Sequence, residues 1–497
     1  MTETTVVVTT EAGQVRGARS GGVHAFLGVP YAAAPVGYLR IKPPQPHPAW
    51  TGERDATREG ANAPQPTRAA AMPVDLVPLV GDGWQRGDDF LTANVWTPDP
   101  EATGLPVMVF IHGGAFIGGC SDAAVNDGSG FARSGVVCVA INYRLGVEGF
   151  LPIQGAPTNL GLRDQIAALA WVQRNIAAFG GDPGNITVFG ESAGAMSIAS
   201  LVASPLAQGL FKRAIIESGH GSMVRPVAIA ERVTRAIAKL LKVAPTAQGF
   251  ASRSVEECLA AQDRVSNPRF RLDLRDDAGR EPTYGLSRFL PVYGDDVLPE
   301  RPLEALAKGV GRDVDVLIGT NREEMNLYFV PTGVRKTLPG FLAGMMLKRV
   351  EPRAKAALKA YGLGRPGTRP GDALTEAMHD LVFRLPARWF ADAHQGRTHF
   401  YEFDWRSPAF GGALGACHAL ELPFVFDTLA SCAGEGQIAG VDPPQELATR
   451  VHGLWAGFAR DGGLPWPEYK AGQRIVYSMA KDAAGPDAVM PVEALLT

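Results

Sequence analysis

One stretch of the chain decides the fold: Ile186-Thr187-Val188-Phe189-Gly190-Glu191-Ser192-Ala193-Gly194. An apolar, β-branched run comes first, a Gly-x-Ser-x-Gly pentapeptide follows it, and a helical Ala/Met/Ile stretch comes next. A strand, a tight turn and a helix in this order form a nucleophile elbow, in which two glycines permit a turn sharp enough to expose a serine hydroxyl. The sequence therefore predicts that Ser192 is a nucleophile.

Strand-like and helical segments alternate on both sides of this stretch. Helical periodicity is clearest over 162–179, and the strand-like runs are 107–111, 136–141, 186–189, 214–216, 314–318 and 400–403. Such alternation predicts the α/β class, with a large, mostly parallel central sheet flanked by helices. Residues 5–32 alternate Val/Thr-rich runs with glycine turns, which predicts a small antiparallel meander at the sheet edge.

Length and composition bear on the domain organisation. The chain has 497 residues, of which 46% are hydrophobic and 20% charged. We interpret residues 1–497 as a single domain, because large α/β enzymes often keep one sheet and lengthen it by insertions. The segments 60–90, 224–310 and 335–395 are interpreted as capping insertions; 60–90 is longer than ordinary connections, and its Trp84 could wall an alcohol pocket.

Charge, targeting signals and cysteines exclude several classes of protein. A formal net charge of −3 gives no electrostatic reason to expect nucleic acid as a partner. The amino terminus lacks a secretory pattern and no apolar run is long enough for a membrane span, so we expect a cytoplasmic protein. The five scattered cysteines are interpreted as buried thiols, and no zinc site is expected. We expect no metal, no organic cofactor, and a monomer or homodimer.

A serine hydroxyl needs a base within hydrogen-bonding reach and a third group that orients the base. In the elbow architecture these partners follow the serine in the order acid, then histidine. His220 lies too close to the elbow in sequence and His112 precedes it. His418, on a loop of small residues beyond the strand-like run 400–403, is the predicted base.

The acid is predicted at the end of another strand. Residues 316–318 form an apolar run that ends in a polar turn, which places Glu323 and Glu324 at the carboxyl end of that strand. Position alone does not choose between them. Backbone N–H groups for a developing oxyanion are predicted in the stretch His112-Gly113-Gly114-Ala115-Phe116, which follows the run 107–111, and at Ala193 at the start of the elbow helix.

Several longer motifs carry a resemblance to a known family. They are Phe26-Leu27-Gly28-Val29-Pro30-Tyr31-Ala32, Asn94-Val95-Trp96-Thr97-Pro98, His112-Gly113-Gly114-Ala115-Phe116, Asn142-Tyr143-Arg144-Leu145-Gly146, Asn159-Leu160-Gly161-Leu162-Arg163-Asp164-Gln165, Phe179-Gly180-Gly181-Asp182-Pro183 and Phe189 to Gly194. Together they closely resemble the type-B carboxylesterase and cholinesterase family, particularly its para-nitrobenzyl esterase-like members. The resemblance extends to Trp455 and Trp466 and covers nearly the whole chain.

The resemblance implies an α/β-hydrolase fold and a serine hydrolase of small to medium carboxylic esters, which acts through an acyl-enzyme. It selects Glu324 as the acid of a triad with Ser192 and His418. Further roles follow from it for the oxyanion donors and for neighbouring supporting residues: Gly114, Ala115 and Ala193 as donors, and Gly113, Ser218 and Glu191 as support. Ala115 departs from the family's third glycine, and its Cβ would cost about 1–3 kcal/mol at positive φ.

The sequence leaves two other functions open. Some members of the family keep the scaffold without catalysis and serve in adhesion. A chain with the same triad could also act mainly on amides, carbamates or thioesters, because an oxyanion hole serves any acyl transfer.

Overall fold

The computed structural model describes residues 4–67 and 73–496, and a large sheet runs through it. The strands are β1 (Thr4–Thr10), β2 (Gly13–Ser20), β3 (Val23–Pro30), β4 (Glu53–Asp55), β5 (Thr92–Thr97), β6 (Leu105–Ile111), β7 (Val137–Ile141), β8 (Gly181–Glu191), β9 (Arg213–Glu217), β10 (Arg225–Pro226), β11 (Val292–Tyr293), β12 (Asp315–Asn321), β13 (Thr398–Phe403), β14 (Ile475–Ser478) and β15 (Ala483–Pro486).

The order of strands in the large sheet is β1-β2-β3-β5-β7-β6-β8-β9-β12-β13-β14-β15, with β4 beside β2. Neighbouring strands from β7 to β14 are parallel, whereas those from β1 to β7 are antiparallel. The strands β10 and β11 pair separately. This arrangement confirms the predicted mostly parallel sheet with an antiparallel meander at its amino-terminal edge.

Helices flank the sheet. They are α1 (Val77–Val80), α2 (Ser129–Arg133), α3 (Gly146–Phe150), α4 (Leu160–Asn175), α5 (Ala193–Val202), α6 (Val227–Leu241), α7 (Ala247–Ala251), α8 (Val255–Ser266), α9 (Pro302–Ala307), α10 (Asn326–Phe329), α11 (Val334–Thr337), α12 (Gly340–Lys348), α13 (Ala354–Ala360), α14 (Pro370–His379), α15 (Leu385–Ala393), α16 (Leu422–Val425), α17 (Leu429–Cys432), α18 (Gln445–Asp461) and α19 (Glu493–Leu496).

The sheet is buried on both faces, which explains why its central strands are almost continuously apolar. In β6, Val107, Val109 and Ile111 pack into one hydrophobic cluster, and Met108 and Phe110 pack into a second one. Successive side chains of a strand point to opposite faces, so each strand contributes to both clusters.

The predicted strand-like runs all fall within observed strands or begin one residue before them. The helix predicted over 162–179 is α4, which starts two residues earlier and ends at Asn175, before a tighter turn over 176–179. No strand was predicted for β5, where Thr92 and Asn94 interrupt the apolar pattern. The Asn94 carboxamide accepts a hydrogen bond from the Gly28 N–H at 2.8 Å, so a polar side chain is satisfied inside the sheet.

The segments interpreted as capping insertions have different structures. Residues 335–395 are largely helical, but residues 267–291 within 224–310 form neither helix nor strand, contrary to their helical interpretation. The buried Arg225 guanidinium organises this irregular stretch, since it pairs with Glu281 and donates to the Arg288 carbonyl at 2.8 Å. In the segment 60–90, residues 68–72 lie outside the described residues.

Two further features concern the cysteines and the length of the helices. All five cysteines are buried free thiols, as predicted. Within residues 4–67 and 73–496, no helix combines the length and the apolar character that crossing a bilayer requires.

Candidate active site

Ser192 lies at the turn between β8 and α5, with φ 55° and ψ −120°. The turn passes so close to the end of β6 that a Cβ on Gly194 would lie 1.8 Å from the Ile111 carbonyl oxygen. A Cβ on Gly190 would lie 2.4 Å from the same oxygen. Only glycine fits at these two positions, and the serine is held at the carboxyl end of a central strand.

The structure brings His418 to Ser192 across 226 positions of sequence. Its Nε2 lies 2.9 Å from Ser192 Oγ, and its backbone N–H donates to the Glu324 carbonyl at 3.2 Å. The imidazole is 3% exposed, whereas Ser192 is half-buried. A ring held in this way can accept the serine proton without a rearrangement of the loop.

The two adjacent glutamates after β12 point in different directions. Glu324 Oε2 lies 2.6 Å from His418 Nδ1, and its other oxygen accepts the Asn321 N–H at 2.8 Å. Glu323 instead pairs with Arg406 and accepts the Ala416 N–H at 3.0 Å. Glu324 therefore contacts the imidazole, whereas Glu323 holds the loop that precedes His418.

A second carboxylate approaches the imidazole from the serine side. Glu191 Oε1 lies 3.0 Å from His418 Nε2. Burial opposes a charge on His418, but the attraction of Glu191, of Tyr328 and of Glu324 raises its pKa well above the ordinary value. The pKa of Glu191 is also raised, chiefly by burial, although the histidine acts in the opposite direction.

The other two histidines considered from the sequence do not approach the serine hydroxyl. His112 Nδ1 lies 2.8 Å from the Gly113 carbonyl oxygen, and its ring stacks on Tyr143 with centroids 4.5 Å apart. His220 Nε2 lies 2.7 Å from the Val382 carbonyl oxygen. Burial lowers the pKa of both imidazoles to about 4, so they are neutral at pH 7 and serve as fixed structural groups.

The loop after β6, in which the sequence predicts oxyanion donors, contains positive φ angles. Gly114 has φ 111° and Ala115 has φ 58°, so the alanine occupies the left-handed region despite its Cβ. Among the described residues, no acceptor bonds the N–H of Gly114 or Ala115. Ala193 is the first residue of α5, where a backbone N–H has no partner within the helix.

The two residues of this loop are expected to tolerate opposite substitutions. In Gly114→Ala the new Cβ would lie 2.0 Å from the Gly118 carbonyl oxygen, so the loop must move. We expect a loss of about 10²-fold or more in kcat, because the N–H of Gly114, a predicted oxyanion donor, is displaced. Ala115→Gly keeps its N–H and relieves the positive-φ alanine, a cost of about 1–3 kcal/mol. Glycine's greater freedom in the unfolded chain opposes this by only about 0.4–1 kcal/mol, so stability should be equal or higher. Hydrolysis of p-nitrophenyl acetate and thermal unfolding measure both effects. Equal activity of the two variants would contradict the assignment.

Ser218, which the resemblance implies as a supporting residue, belongs to a group of buried polar residues near His418 whose other members, Asn321 and Glu421, were not predicted as site residues. The Ser218 hydroxyl donates to Glu421 at 3.4 Å and not directly to the acid or the histidine. Asn321 provides the link, because its carboxamide donates to Glu421 while its backbone N–H donates to Glu324. Burial raises the pKa of Glu421 to about 8, with further contributions from Glu191 and Glu324. The polar turn after β12 was the available signal for Asn321.

Aromatic rings surround the imidazole. Phe383 packs against His418 with ring centroids 4.6 Å apart, and Tyr328 packs at 5.8 Å. Trp84, considered above as a pocket wall, is half-buried and has the Arg86 guanidinium 4.2 Å from its ring centre. A cation of the protein itself therefore occupies one face of that ring.

A mostly parallel sheet with a serine on a strand-turn-helix elbow defines an α/β hydrolase. The profile of the family described as "Carboxylesterase family" matches residues 4–484. The chain belongs to this family and is a carboxylesterase.

Individual relatives agree with this assignment. The chain is 37% identical over 484 residues to para-nitrobenzyl esterase of Bacillus subtilis (strain 168), covering 93% of this chain and 92% of that one. It is 34% identical to phenmedipham hydrolase of Pseudarthrobacter oxydans, covering 97% of each. Among solved structures, a PNB esterase superposes with a TM-score of 0.82 at 34% identity, covering 97% of this chain and 98% of that one. A carboxylesterase of Geobacillus stearothermophilus gives 0.81 at 34% identity, with the same coverage.

Proposed function

We propose that this carboxylesterase uses Ser192 as nucleophile, His418 as general base and Glu324 as the acid that orients the imidazole. The observation that carries the proposal is the continuous chain of contacts, 2.9 Å from serine to histidine and 2.6 Å from histidine to glutamate. The strained backbone of the serine and the burial of the other two side chains support it.

Acylation begins when Ser192 Oγ attacks the ester carbonyl carbon and His418 Nε2 takes the hydroxyl proton. The carbonyl oxygen becomes an oxyanion, which accepts hydrogen bonds from the N–H groups of Gly114, Ala115 and Ala193. When the tetrahedral intermediate collapses, the bond to the alcohol oxygen breaks and the proton on His418 passes to that oxygen. An acyl ester of Ser192 remains.

Deacylation repeats the same steps with water. His418 takes a proton from a water molecule as its oxygen attacks the acyl carbon, and the second tetrahedral intermediate collapses to return that proton to Ser192 Oγ. The carboxylic acid leaves. Glu324 stabilises the imidazolium in both halves of the reaction, and Gly113, Ser218 and Glu191 hold the groups around it.

The proposed substrates are small to medium carboxylic esters over a broad range, and the chain is proposed to be one domain whose inserted segments shape the entrance. Contacts with the glycine loop support a role for two of these segments. Ser287, from 224–310, donates to the Ala115 carbonyl at 3.0 Å, and Gln65, from 60–90, accepts the Gly119 N–H at 2.8 Å.

Glu191 is expected to set the acid limb of the pH profile. His418 acts as a base only when neutral, and the Glu191 carboxylate favours its charged form. In Glu191→Gln the pKa of His418 should fall, so kcat/KM should persist to lower pH than in the wild type. The matched control is Glu421→Gln: with a pKa of about 8 this carboxyl is already neutral on the acid side, so the limb should stay in place. An acid limb that does not move in Glu191→Gln, or that moves to higher pH, would count against this role.

Matched substrates test the proposed ester activity. p-Nitrophenyl esters of rising acyl length and p-nitroanilides of the same acids are compared, with Ser192→Ala measured in parallel. We expect turnover of the esters, much slower turnover of the anilides, and neither with the variant. Faster cleavage of the anilides would favour the amide alternative, and ester turnover that survives in Ser192→Ala would overturn the proposed nucleophile.

A further inference from the structure

The segment 331–370 has a charge opposite to that of the chain. It contains nine lysines and arginines and a single acidic residue, Glu351, whereas the whole chain has a formal net charge of −3. Glu351 is buried, and eight of the nine basic residues are exposed. Only Arg335 and Arg369 form ion pairs among the described residues, with Asp372 and, for Arg335, also with Glu376. The other seven basic side chains form no ion pair with a described carboxylate, and all seven are exposed.

Within this segment, α12 presents apolar side chains outward. Phe341 is 70% exposed and Met345 is 50% exposed, four positions apart on one helix face. The opposite face packs inward through the buried Ala343 and Leu347. The exposed apolar stripe continues directly into Lys348 and Arg349, which are both exposed and unpaired.

A basic cavity lies at the other end of α12. It has a volume of about 180 Å³, and its basic lining residues are Arg335, Lys336, Arg369 and Arg406. Pro370, next to Arg369, lies within 3.4 Å of the position that a Cβ on Gly340 would occupy, so the cavity adjoins the start of the helix. Val330 also lines it, two residues after the ring of Tyr328 that packs against His418. Three of the four basic lining residues pair with Asp372, Glu376 or Glu323. Among the described residues, the unpaired cations are therefore Lys336 at this end of the stripe and Lys348 and Arg349 at the other.

We propose that the face formed by α12 and its flanking basic residues docks on an anionic phospholipid surface. Phe341 and Met345 would enter the boundary between headgroups and acyl chains, while the lysines and arginines contact lipid phosphates. Long basic side chains suit this position, because their stems lie along apolar surface while their charges stay in water. A nucleic acid would instead favour a continuous basic surface without exposed Phe and Met at its centre. The proposal is independent of the proposed catalytic residues.

Vesicle sedimentation tests the proposal with the full-length enzyme. Vesicles of equal parts phosphatidylglycerol and phosphatidylcholine are compared with vesicles of phosphatidylcholine alone. The wild type should sediment with the anionic vesicles, and salt should release part of it. Neutralising Lys348 and Arg349 together (K348Q, R349Q) should lower the partition coefficient by about fivefold per charge. The pair Phe341→Ser and Met345→Ser should lower it by at least about tenfold.

Matched variants elsewhere on the surface provide the controls. Val441 and Val489 are exposed apolar residues outside the segment, and Lys470 and Lys481 are exposed lysines outside it. Serine at the two valines and glutamine at the two lysines should leave vesicle binding unchanged. All variants should hydrolyse p-nitrophenyl acetate in solution like the wild type, which shows that they fold.

Several results would overturn the proposal. Equal binding to the neutral vesicles would remove the role of charge, and equal losses in the control variants would remove the role of this face. Release by millimolar inorganic phosphate would assign the cavity to a free anion. Light scattering that shows self-association without lipid, abolished by the Phe341 and Met345 substitutions, would assign the face to a second copy of the chain. Binding of duplex DNA that these substitutions leave intact would assign the basic charge to nucleic acid.

Discussion

Ser192→Ala should lower kcat for p-nitrophenyl esters by about 10⁵- to 10⁶-fold, an effect of the size seen when the nucleophile of such a triad is removed. In the proposed mechanism no acyl-enzyme can form without the hydroxyl, and His418 and the proposed oxyanion donors can only assist direct attack by water. Stopped assays on freshly purified protein, with the concentration of active sites titrated, measure the residual rate.

The matched control is Ser200, a buried serine on α5, the helix that follows Ser192. Ser200 is 1% exposed, and its hydroxyl donates only to the Met196 carbonyl of α5 at 2.9 Å. Ser200→Ala should therefore keep nearly full activity with a similar unfolding temperature. If Ser192→Ala kept activity within about an order of magnitude of the wild type, another group would have to supply the nucleophile.

Glu324→Gln should lower kcat by about 10⁴-fold. The amide can no longer stabilise the imidazolium, and its N–H₂ group can face His418 Nδ1 and favour the wrong tautomer of the ring. The variant should fold, because glutamine has nearly the same shape and can still accept the Asn321 N–H through its carbonyl oxygen.

The adjacent Glu323 provides a matched control for Glu324→Gln. Glu323 contacts Arg406 and the Ala416 N–H rather than the imidazole, and the Arg406 side chain is half exposed. Because Glu323 does not contact the imidazole, its substitution can act only through the loop that it holds, so Glu323→Gln should lower kcat far less than Glu324→Gln. If the two substitutions had equal effects, or if Glu323→Gln were the more severe, the assignment of the acid would be wrong.

The elbow and the parallel strands could be predicted because their signals are local, whereas the approach of His418 to Ser192 was predicted from the order of these residues along the chain. The glycines on either side of Ser192 indicate that two backbone segments approach closely. Buried parallel strands such as β6 consist of consecutive apolar residues. The choice between Glu323 and Glu324 could not be made from position. It depends on Arg406, which lies 83 positions downstream and takes one carboxylate away from the imidazole.

Other features depend on contacts that sequence patterns do not encode. The strand β5 was missed because Thr92 and Asn94 are polar residues whose hydrogen bonds are completed only by other segments. The hairpin of β14 and β15 was missed because it lies at the sheet edge, where its residues stay partly exposed and no apolar run develops. The buried Glu421 and its link through Asn321 require the fold, since 100 positions separate the two residues.

The net charge of the whole chain conceals a local difference in charge. The net charge of −3 gave no reason to expect an anionic partner, but it averages over a segment, 331–370, in which basic residues outnumber acidic ones nine to one. Burial of Glu351 then removes the one opposite charge of this segment from the surface. A window-by-window count of charge would have found this segment from the sequence.

The proposed acyl-enzyme mechanism is tested most directly by identifying the residue that carries the acyl group during turnover. The enzyme is mixed with a p-nitrophenyl ester, quenched in acid within the first turnover, digested and analysed by mass spectrometry. We expect one acyl group, attached to the peptide that contains Ser192 and absent from Ser192→Ala. An acyl group on a different residue, or steady turnover with no acylated Ser192 at any quench time, would contradict this mechanism.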